Sequence, residues 1–431
     1  MTPLRVLFIS PYLPSLIRVR PYNLIKALAG RGHQITLLAL VPPNEDTNGL
    51  ASLHAWCSDI QTVPLPRWRT LWNALRALPS RTPLQAAYSR SPEMSTLIRR
   101  IQAQEHFDVV HLEHLRGAEL ASPTPPNAHS RSRTGWSGHA VNGVPILFDS
   151  VDSITLLFEQ ACRSAPSWRS RLIAGLDLAR TRGYESCLLE RYARVLVTSP
   201  RDKEALASLS TIHDAEERLV VLPNGVDLDY FRPLDAPRDP ATLIFTGKMS
   251  YHANVAAALD LATQVMPYVW ASLPDARLVI AGKDPGPELL ALTADTRISV
   301  TGTLPDLRPH LAKASLAVLP IRYGVGIQNK LLEAMAMATP VVSTSQATSA
   351  LQVEPGRDLF VADTPQAIAQ AVTTLLADAS LRHRIGQAGR RYVEAHHNWD
   401  VAAGELEKVY REIIAEMAYP PAGSGFRPEP G

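Results

Sequence analysis

Short apolar, β-branched runs alternate with helical segments in two successive series along this 431-residue chain. The first series includes strand-like runs at 4–10, 34–41, 107–115 and 144–152, and the second runs from TLIFTG to PVVST. Apolar runs of strand length separated by helices are typical of parallel sheets covered on both faces. The pattern therefore predicts an α/β protein with two Rossmann-like domains, whose strand ends face a central cleft.

Composition shifts between the series predict the domain boundaries. Residues 220–240 are rich in prolines and turn residues, which marks the change from one series to the next. A stretch rich in Pro, Ser, Gly and Asn, at about 121–143, predicts a mobile insertion. The predicted parts are an N-terminal domain at 1–222, an interdomain linker at 223–240, a C-terminal domain at 241–396, a C-terminal helix at 397–417 that packs back on the N-terminal domain, and a disordered tail at 418–431.

Composition indicates a folded protein of the cytoplasm. Apolar residues make up 46% of the chain and charged residues 19%, and no apolar run is long enough to span a membrane. The chain begins with a strand-like run rather than a signal peptide. Its cysteines, Cys57, Cys162 and Cys187, are far apart and have no metal or disulfide spacing, which fits a reducing compartment.

Charge is unevenly distributed between the two halves. Residues 1–220 hold 25 of the 43 Lys and Arg residues but 19 of the 41 Asp and Glu residues. A basic N-terminal half favours an anionic substrate or an anionic membrane face as partner. Nucleic acid is not expected, because no recognised binding motif accompanies the charge.

A glycine loop leads into a short helix near the end of the second series. Gly324 and Gly326 follow a buried strand, and a predicted helix covers 328–338. The amides at its N-terminus would favour a phosphate, and Glu333 would accept hydrogen bonds from a ribose diol beside it. The alternative is that Glu333 only complements the helix dipole as a first-turn acid, paired with Lys330.

Five stretches in a fixed order carry a family resemblance. The stretches are GRGH at 30–33, PNGVD at 223–227, FTGKMS at 245–250, VTGTLPDLRPHLAKASLAVLP at 300–320 and GIQNKLLEAMAMATPVV at 326–342. With them the chain resembles retaining glycosyltransferases of family 4, which have the GT-B fold, and in particular bacterial sugar transferases of exopolysaccharide loci. The resemblance extends over about 4–417.

The resemblance implies a donor site in the C-terminal domain. The family pattern has two glutamates separated by seven residues; Glu333 matches the second, which holds the nucleotide ribose, and the first falls on Val325. Of the family's pair of cations on the donor phosphates, Lys248 stands where arginine is common, while the usual lysine six residues later is Asn254. Arg322 and Lys330 are candidates to replace the missing cation. The other donor-binding residues that the resemblance implies are Gly247, Gly302, Thr303, Gly324, Gly326 and Gln328.

Related enzymes carry a histidine beside the sugar, at the end of a strand that corresponds to HLEH here. That position falls on Glu113 or on the adjacent His114, so both are candidate catalytic residues together with Lys248. Strand alternation places His111 and Glu113 on one face and His114 on the other, unless the strand has ended. For His111 a packed core position is as good an interpretation as a functional one.

Other polar residues follow strands of the first series. Arg18 and Arg20 stand in SLIRVRPYN, where the family commonly has a glycine-rich loop. They would project to bind a phosphorylated acceptor or the donor phosphates, or are only a solvated pair in a loop. Asp149 and Asp152 follow another strand and would orient acceptor hydroxyls, or only cap turns.

The stretch RWRTLWNALRALPSR at 67–81 has tryptophans and leucines at helical spacing with arginines around them. It predicts either a basic amphipathic helix at a membrane surface or a helix whose apolar face packs into the core.

These features imply an enzyme that transfers a sugar from a nucleotide sugar to a glycan or polyprenyl-linked acceptor. No cofactor and no metal are expected, and DLD at 227–229 is interpreted as a chance match to a metal motif because it falls in the predicted linker. A disaccharide phosphorylase and a non-catalytic protein that binds sugar nucleotides remain alternatives. The predicted location is the cytoplasm, with possible attachment to the inner face of the membrane.

Overall fold

The computed structural model describes residues 2–15, 18–43, 49–121, 140–141, 143–164, 168–323 and 326–418. Most of the predicted insertion and the tail beyond 418 lie outside these residues. Gly324 and Val325 also lie outside them.

The chain forms two compact units. Unit 1 comprises 1–223 with 400–431, and unit 2 comprises 224–399. From Asn224 onward, the stretch predicted as a linker is part of unit 2 rather than a separate segment. Val226 is buried in the core of that unit, and its amide donates to the His397 carbonyl at 2.8 Å.

Unit 1 is built on a parallel sheet whose strands run in the spatial order β3-β2-β1-β4-β6-β7-β8, with β5 antiparallel to β6. This is the Rossmann-type order, with a switch between β1 and β4. Its strands are β1 (Arg5–Ser10), β2 (Gln34–Val41), β3 (Asp59–Pro64), β4 (Val109–Glu113), β5 (Ala140–Val141), β6 (Val144–Val151), β7 (Arg194–Val197) and β8 (Leu219–Val221).

Helices cover this sheet and bury its apolar faces. Phe8 and Phe148 are among the largest fully buried side chains. The helices in the first segment of unit 1, before residue 224, are α1 (Val19–Gly30), α2 (Leu50–His54), α3 (Arg67–Ala77), α4 (Leu84–Tyr88), α5 (Pro92–Gln104), α6 (His114–Gly117), α7 (Ile154–Ser164), α8 (Trp168–Glu185), α9 (Leu188–Arg191), α10 (Pro200–Leu209) and α11 (Ala215–Arg218).

Unit 2 repeats the same topology with its own core. Its parallel strands run in the order β11-β10-β9-β12-β13-β14. They are β9 (Thr242–Thr246), β10 (Arg277–Ala281), β11 (Ile298–Val300), β12 (Leu316–Leu319), β13 (Val341–Ser343) and β14 (Phe360–Val361). The helices are α12 (His252–Asp260), α13 (Met266–Ser272), α14 (Pro287–Leu290), α15 (Arg308–Lys313), α16 (Asn329–Ala336), α17 (Ser345–Thr348), α18 (Pro365–Ala377) and α19 (Ala379–His396), with a π-helical turn at 261–265 and a 3-10 turn at 291–294.

The last helix, α20 (Trp399–Ala418), belongs to unit 1 from Asp400 onward and contacts the rest of that unit through polar side chains. Its Tyr410 hydroxyl lies 2.7 Å from His111 Nδ1, and Glu407 accepts a hydrogen bond from Arg31 at 2.9 Å. None of the described helices is long and apolar enough to cross a membrane.

The two sheets confirm the prediction of two Rossmann-like domains, and their topology indicates where ligands would bind. In such sheets ligands sit at the carboxyl ends of the strands, next to the point where strand order reverses. In unit 1 that point lies between β1 and β4, and in unit 2 between β9 and β12.

Candidate active site

The structure confirms a helix after Gly326, but this helix is shorter than predicted. Gly326 has φ +69°, which suits glycine, and α16 begins at Asn329. The helix ends at Ala336 rather than at 338, because Ala338 has φ +51° and closes the last turn with its amide on the Met335 carbonyl. Gly324, assigned to the same loop, lies outside the described residues.

Two arginines hold the carboxyl end of α16. The Arg238 guanidinium donates to the carbonyls of Met337 and Ala338, and Arg390 donates to the Ala336 carbonyl at 2.7 Å. Cations at a helix C-terminus complement its dipole. At the other end of α16, after the glycine loop, the N-terminal amides form the positive end of the helix dipole, which suits an anion.

Glu333 lies in the second turn of α16, so its interpretation as a first-turn acid is wrong. Its side chain is partly buried, and burial raises its pKa to about 7 while Lys330 opposes that rise. Burial also lowers the pKa of Lys330 to about 8, and its ammonium donates to Gln328 Oε1 at 3.0 Å. The first two turns of α16 therefore combine a partly buried acid with an ammonium and an amide side chain.

Lys248 lies on a tightly built turn after β9. Glycine is required at 282, because a Cβ there would lie 1.7 Å from the Gly247 carbonyl oxygen. Asn254 is buried in α12 and donates to the Lys248 carbonyl at 2.9 Å. Asn254 thus fixes the turn but supplies no charge, while the Lys248 side chain is exposed at the carboxyl end of the sheet.

The other predicted donor-binding residues differ in their surroundings. Gly302 (φ +68°) and exposed Thr303 follow β11, at the same carboxyl edge of the sheet. Arg322 follows β12, but its guanidinium is 3.0 Å from Asp260 Oδ2 in an ion pair. This ion pair partly offsets the charge that Arg322 would bring to the predicted phosphate site.

The sequence reasoning missed an aromatic contact at this edge. His252 begins α12, its ring stacks on Tyr323 with centroids 5.3 Å apart, and its Nδ1 is 3.0 Å from the Tyr323 hydroxyl. Tyr323 directly precedes the glycine loop, so this contact ties the loop to the helix after Lys248. The only signal in the sequence is an aromatic residue at each place, which does not reveal the pairing.

In unit 1, Glu113 ends β4 in a fully enclosed position. Its exposed fraction is 1%, the Ser10 hydroxyl donates to Oε2 at 3.1 Å, and the Tyr12 hydroxyl donates to Oε1 at 2.8 Å. Burial, reinforced by Asp149, raises the pKa of Glu113 to about 8. Both oxygens are thus engaged inside unit 1, which favours a role in shaping the site over direct catalysis.

His114 follows immediately, where the strand has already ended. It has φ +61° and begins α6, and its Nδ1 accepts the Arg116 amide at 3.2 Å. Burial, together with Arg116 and Arg18, lowers the pKa of His114 to about 3, so the imidazole is neutral. Val151, at the end of neighbouring β6, has φ +68°; strained residues at two adjacent strand ends are a common feature of functional sites.

A buried polar cluster next to these residues corrects the prediction for Arg20. Arg20 is 5% exposed, and its Nε donates to Asp149 Oδ2 at 2.7 Å, while Nη1 donates to the Leu222 carbonyl at 2.9 Å. His111 Nε2 lies 3.7 Å from the same Asp149 oxygen, and its Nδ1 meets Tyr410 of α20. Arg20 therefore does not project to meet phosphates, and His111 is a packed core residue.

Arg18 and Asp152 lie nearer the surface. Arg18 is exposed, with its guanidinium 4.4 Å from the centre of the Tyr12 ring. Asp152 accepts a hydrogen bond from the Thr198 hydroxyl at 3.0 Å, and burial next to Asp202 raises its pKa to about 7. Arg18 is thus the accessible cation of the predicted acceptor loop.

Comparison with known proteins identifies the family. The model described as "Glycosyltransferase Family 4" matches residues 18–230, and that described as "Glycosyl transferases group 1" matches residues 240–378. Together they cover most of the chain. The chain belongs to glycosyltransferase family 4.

Relatives of this family-4 chain include proteins from Corynebacterium glutamicum and Mycobacterium avium. The "GDP-mannose-dependent monoacylated alpha-(1-6)-phosphatidylinositol monomannoside mannosyltransferase" of Corynebacterium glutamicum is 29% identical over 44% of this chain and 55% of its own length. The "D-inositol 3-phosphate glycosyltransferase" of Mycobacterium avium is 30% identical over 56% of this chain and 60% of its own length. The aligned region thus spans little more than half of these relatives.

Solved structures establish the fold of the family-4 chain as GT-B. Sucrose-phosphate synthase from Thermosynechococcus elongatus matches with a TM-score of 0.63 and 18% identity, over 96% of this chain and 99% of that one. Anabaena HepE in complex with UDP-glucose matches with a TM-score of 0.61 and 11% identity, over 95% of this chain and 100% of that one. At these identities the likeness concerns the fold alone.

The DLD stretch of this family-4 chain has a structural task. Asp227 accepts the amides of Asp229 and Tyr230, at 3.2 and 2.9 Å, and so closes a turn. In the described part of the chain, no group of three or more His, Cys, Asp or Glu side chains is arranged to hold a metal ion.

Raising the pH should destabilise unit 1 through Glu113. Its folded pKa of about 8 is above the value near 4.3 of an unfolded glutamate, so the folded state binds this proton more tightly. The contribution of this proton to the free energy of unfolding is fully present below the unfolded pKa. It falls by about 1.4 kcal/mol per pH unit as the pH rises from the unfolded pKa to the folded pKa, and it is lost above pH 8. Urea unfolding of wild type and Glu113→Gln at pH 6 and 8 measures this. The variant, which has no proton to lose there, should show a clearly smaller pH dependence; equal dependence in both proteins would contradict the assignment.

Proposed function

We propose that this protein is a retaining glycosyltransferase that transfers a hexosyl group from a nucleotide sugar to a glycan or lipid-linked acceptor, in the synthesis of a cell-surface polysaccharide. The carrying observation is Glu333, partly buried in the second turn of α16 beside Lys330 and downstream of a glycine loop. Burying a carboxylate costs free energy unless the carboxylate accepts hydrogen bonds. Hydroxyl groups of a bound ligand would donate such bonds to Glu333. A ribose next to a helix N-terminus that holds a diphosphate supplies them.

The donor is bound in unit 2. The N-terminal amides of α16 and the Lys330 ammonium face the diphosphate, and Lys248 approaches it from the turn after β9. Glu333 holds the ribose, and the neutral backbone of the loop at 326–328 contacts the sugar. Structures of a GT-B protein of Anabaena with UDP and with UDP-glucose support a nucleotide sugar as the ligand class of this fold.

The reaction breaks the bond between the anomeric carbon and the β-phosphate oxygen while the acceptor hydroxyl attacks from the same face. The departing phosphate takes the proton of that hydroxyl, so no side chain need act as nucleophile. Negative charge grows on the β-phosphate as the bond breaks, and fixed cations and amides placed there lower the barrier. No metal is required by this scheme, so a chelator should leave the rate unchanged.

The acceptor is bound in unit 1. His114 and Arg18 lie at the carboxyl end of the sheet, where a neutral imidazole would orient a hydroxyl and a guanidinium would meet a phosphate. Two relatives are named for acceptors that carry phosphate, an inositol phosphate and a phosphatidylinositol mannoside. An acceptor on a lipid carrier places the enzyme at the cytoplasmic face of the membrane.

A panel of nucleotide sugars with lipid-linked and soluble glycan acceptors tests the proposal. Mass spectrometry identifies the product, and nuclear magnetic resonance of its anomeric proton tests retention. Transfer from a nucleotide sugar supports the proposal. Sugar transfer that depends on inorganic phosphate and needs no nucleotide would instead identify a phosphorylase, and binding without transfer across the panel would identify a non-catalytic protein.

Replacing Glu333 by glutamine should weaken binding of a nucleoside diphosphate by about tenfold, since a hydrogen bond to a charged group contributes more than a neutral one. Isothermal calorimetry with UDP and with GDP measures the affinity, and the variant should keep its fold because glutamine has the same shape. Glu412→Gln, an exposed glutamate of α20, is the matched control and should bind like wild type. Unchanged affinity in Glu333→Gln for whichever nucleotide binds would remove the ribose role.

A further inference from the structure

The helix α3 turns its apolar side chains outward. Five large apolar residues repeat at helical spacing along one side of α3 and its C-cap. Their exposed fractions are 63% for Trp68, 63% for Leu71, 52% for Trp72, 51% for Leu75 and 54% for Leu78. The interpretation of this helix as core-facing is therefore wrong. A contiguous apolar face of this size on a soluble protein marks an interaction site.

The opposite side of α3 fixes this orientation. Ala77 is fully buried, and the Asn73 amide donates to the carbonyls of Tyr88 and Arg90 at 3.2 and 2.9 Å. The Arg180 guanidinium donates to the Leu78 carbonyl at 2.5 Å. The helix is thus anchored along its length, and the tryptophans are not exposed through loss of packing.

Charge around the face selects among possible occupants. No acidic residue occurs from 60 to 92, whereas five arginines do. Arg67, Arg76 and Arg81 are exposed, and the Arg76 guanidinium lies 5.1 Å from the centre of the Trp72 ring. Arg69 is instead paired with Glu93 at 2.6 Å. The face therefore has an apolar centre with a positive rim.

We propose that the α3 face docks on the surface of an anionic lipid bilayer. Tryptophan and leucine side chains enter the headgroup boundary while arginines meet lipid phosphates. A second copy of the chain is a poorer occupant, because pairing two such faces would bring their arginine rims together. The proposal rests on the proposed function only in that a lipid-linked acceptor gives the docking its purpose; the binding itself requires no catalysis.

Co-sedimentation of the full chain with liposomes tests the docking. Wild type should bind vesicles of phosphatidylglycerol and phosphatidylcholine at low salt, bind pure phosphatidylcholine weakly, and dissociate as salt rises. The double variant Trp68→Ser/Trp72→Ser should bind anionic vesicles at least about tenfold less well. The triple variant Arg67→Gln/Arg76→Gln/Arg81→Gln should lose the preference for anionic lipid. Tyr268→Ser/Leu290→Ser, which removes similarly exposed apolar side chains from unit 2, is the matched control and should bind like wild type.

Nucleotide affinity of each variant, measured by calorimetry, separates docking from the donor site. Loss of vesicle binding with unchanged nucleotide affinity supports the α3 face. Wild type that ignores anionic vesicles at low salt overturns the proposal, even if sugar transfer to a soluble acceptor is intact. A tryptophan double variant that binds vesicles as wild type does, or that only abolishes a dimer seen by light scattering, also overturns it.

Discussion

Replacing Asp149 by alanine is expected to lower the free energy of unfolding of unit 1 by about 3–5 kcal/mol. The change removes the carboxylate that pairs with the Arg20 guanidinium, which is 5% exposed, and removing one partner of a buried ion pair is far more costly than losing a hydrogen bond alone. It also removes the carboxylate 3.7 Å from His111 Nε2. Urea unfolding followed by circular dichroism measures the loss.

The size of this effect depends on burial, so an exposed ion pair is the suitable control. Glu405 and Lys408 form a pair at 2.7 Å with both side chains more than half exposed, and Glu405→Ala should cost less than about 1 kcal/mol. The double variant Arg20→Met/Asp149→Leu removes both charges and should be more stable than Asp149→Ala alone. A loss below 1 kcal/mol for Asp149→Ala would mean that the cluster does not depend on its carboxylate.

The local order of the sequence was sufficient to predict the fold and the position of α16. Strands such as β9 and β12 are buried on both faces of a parallel sheet. Their residues are therefore apolar without alternation, and such runs can be recognised in the sequence. Gly326, α16 and Glu333 are close together in sequence, so turn and helix propensities predicted the start of the helix to within one residue. The helix end was misplaced because alanine at 338, with φ +51°, gives no sequence signal for a left-handed cap.

The buried partners in unit 1 could not be predicted in this way. Arg20 and Asp149 are 129 residues apart, and Tyr410 reaches His111 across 299 residues. No periodicity links such positions, and an arginine in a predicted loop is ordinarily solvated, so its burial could not be anticipated. For the same reason, the pattern of α3 defined its apolar side but not whether the protein covers that side.

Lys248→Ala is expected to lower the turnover number by about 100-fold, while changing the affinity for the nucleoside diphosphate by less. The cation set at the proposed diphosphate site is small: Asn254 is neutral, Arg322 is paired with Asp260, and the one other lysine proposed there is Lys330, whose pKa of about 8 leaves it mostly protonated near pH 7. Lys248 therefore supplies much of the fixed positive charge. Its effect is greatest where negative charge develops, which is in the transition state rather than in the bound donor.

Initial rates at saturating donor, together with nucleotide affinities from calorimetry, distinguish these two effects. Lys313→Ala is the matched control, because this exposed lysine of α15 lies just before β12, at the amino end of the same sheet, and should leave the rate unchanged. Lys248→Arg should keep a large part of the wild-type rate that Lys248→Ala loses, since a guanidinium at that position also carries a permanent charge. If alanine at 248 leaves turnover equal to wild type, the turn after β9 does not stabilise the leaving phosphate, and the charge must come from α16 alone.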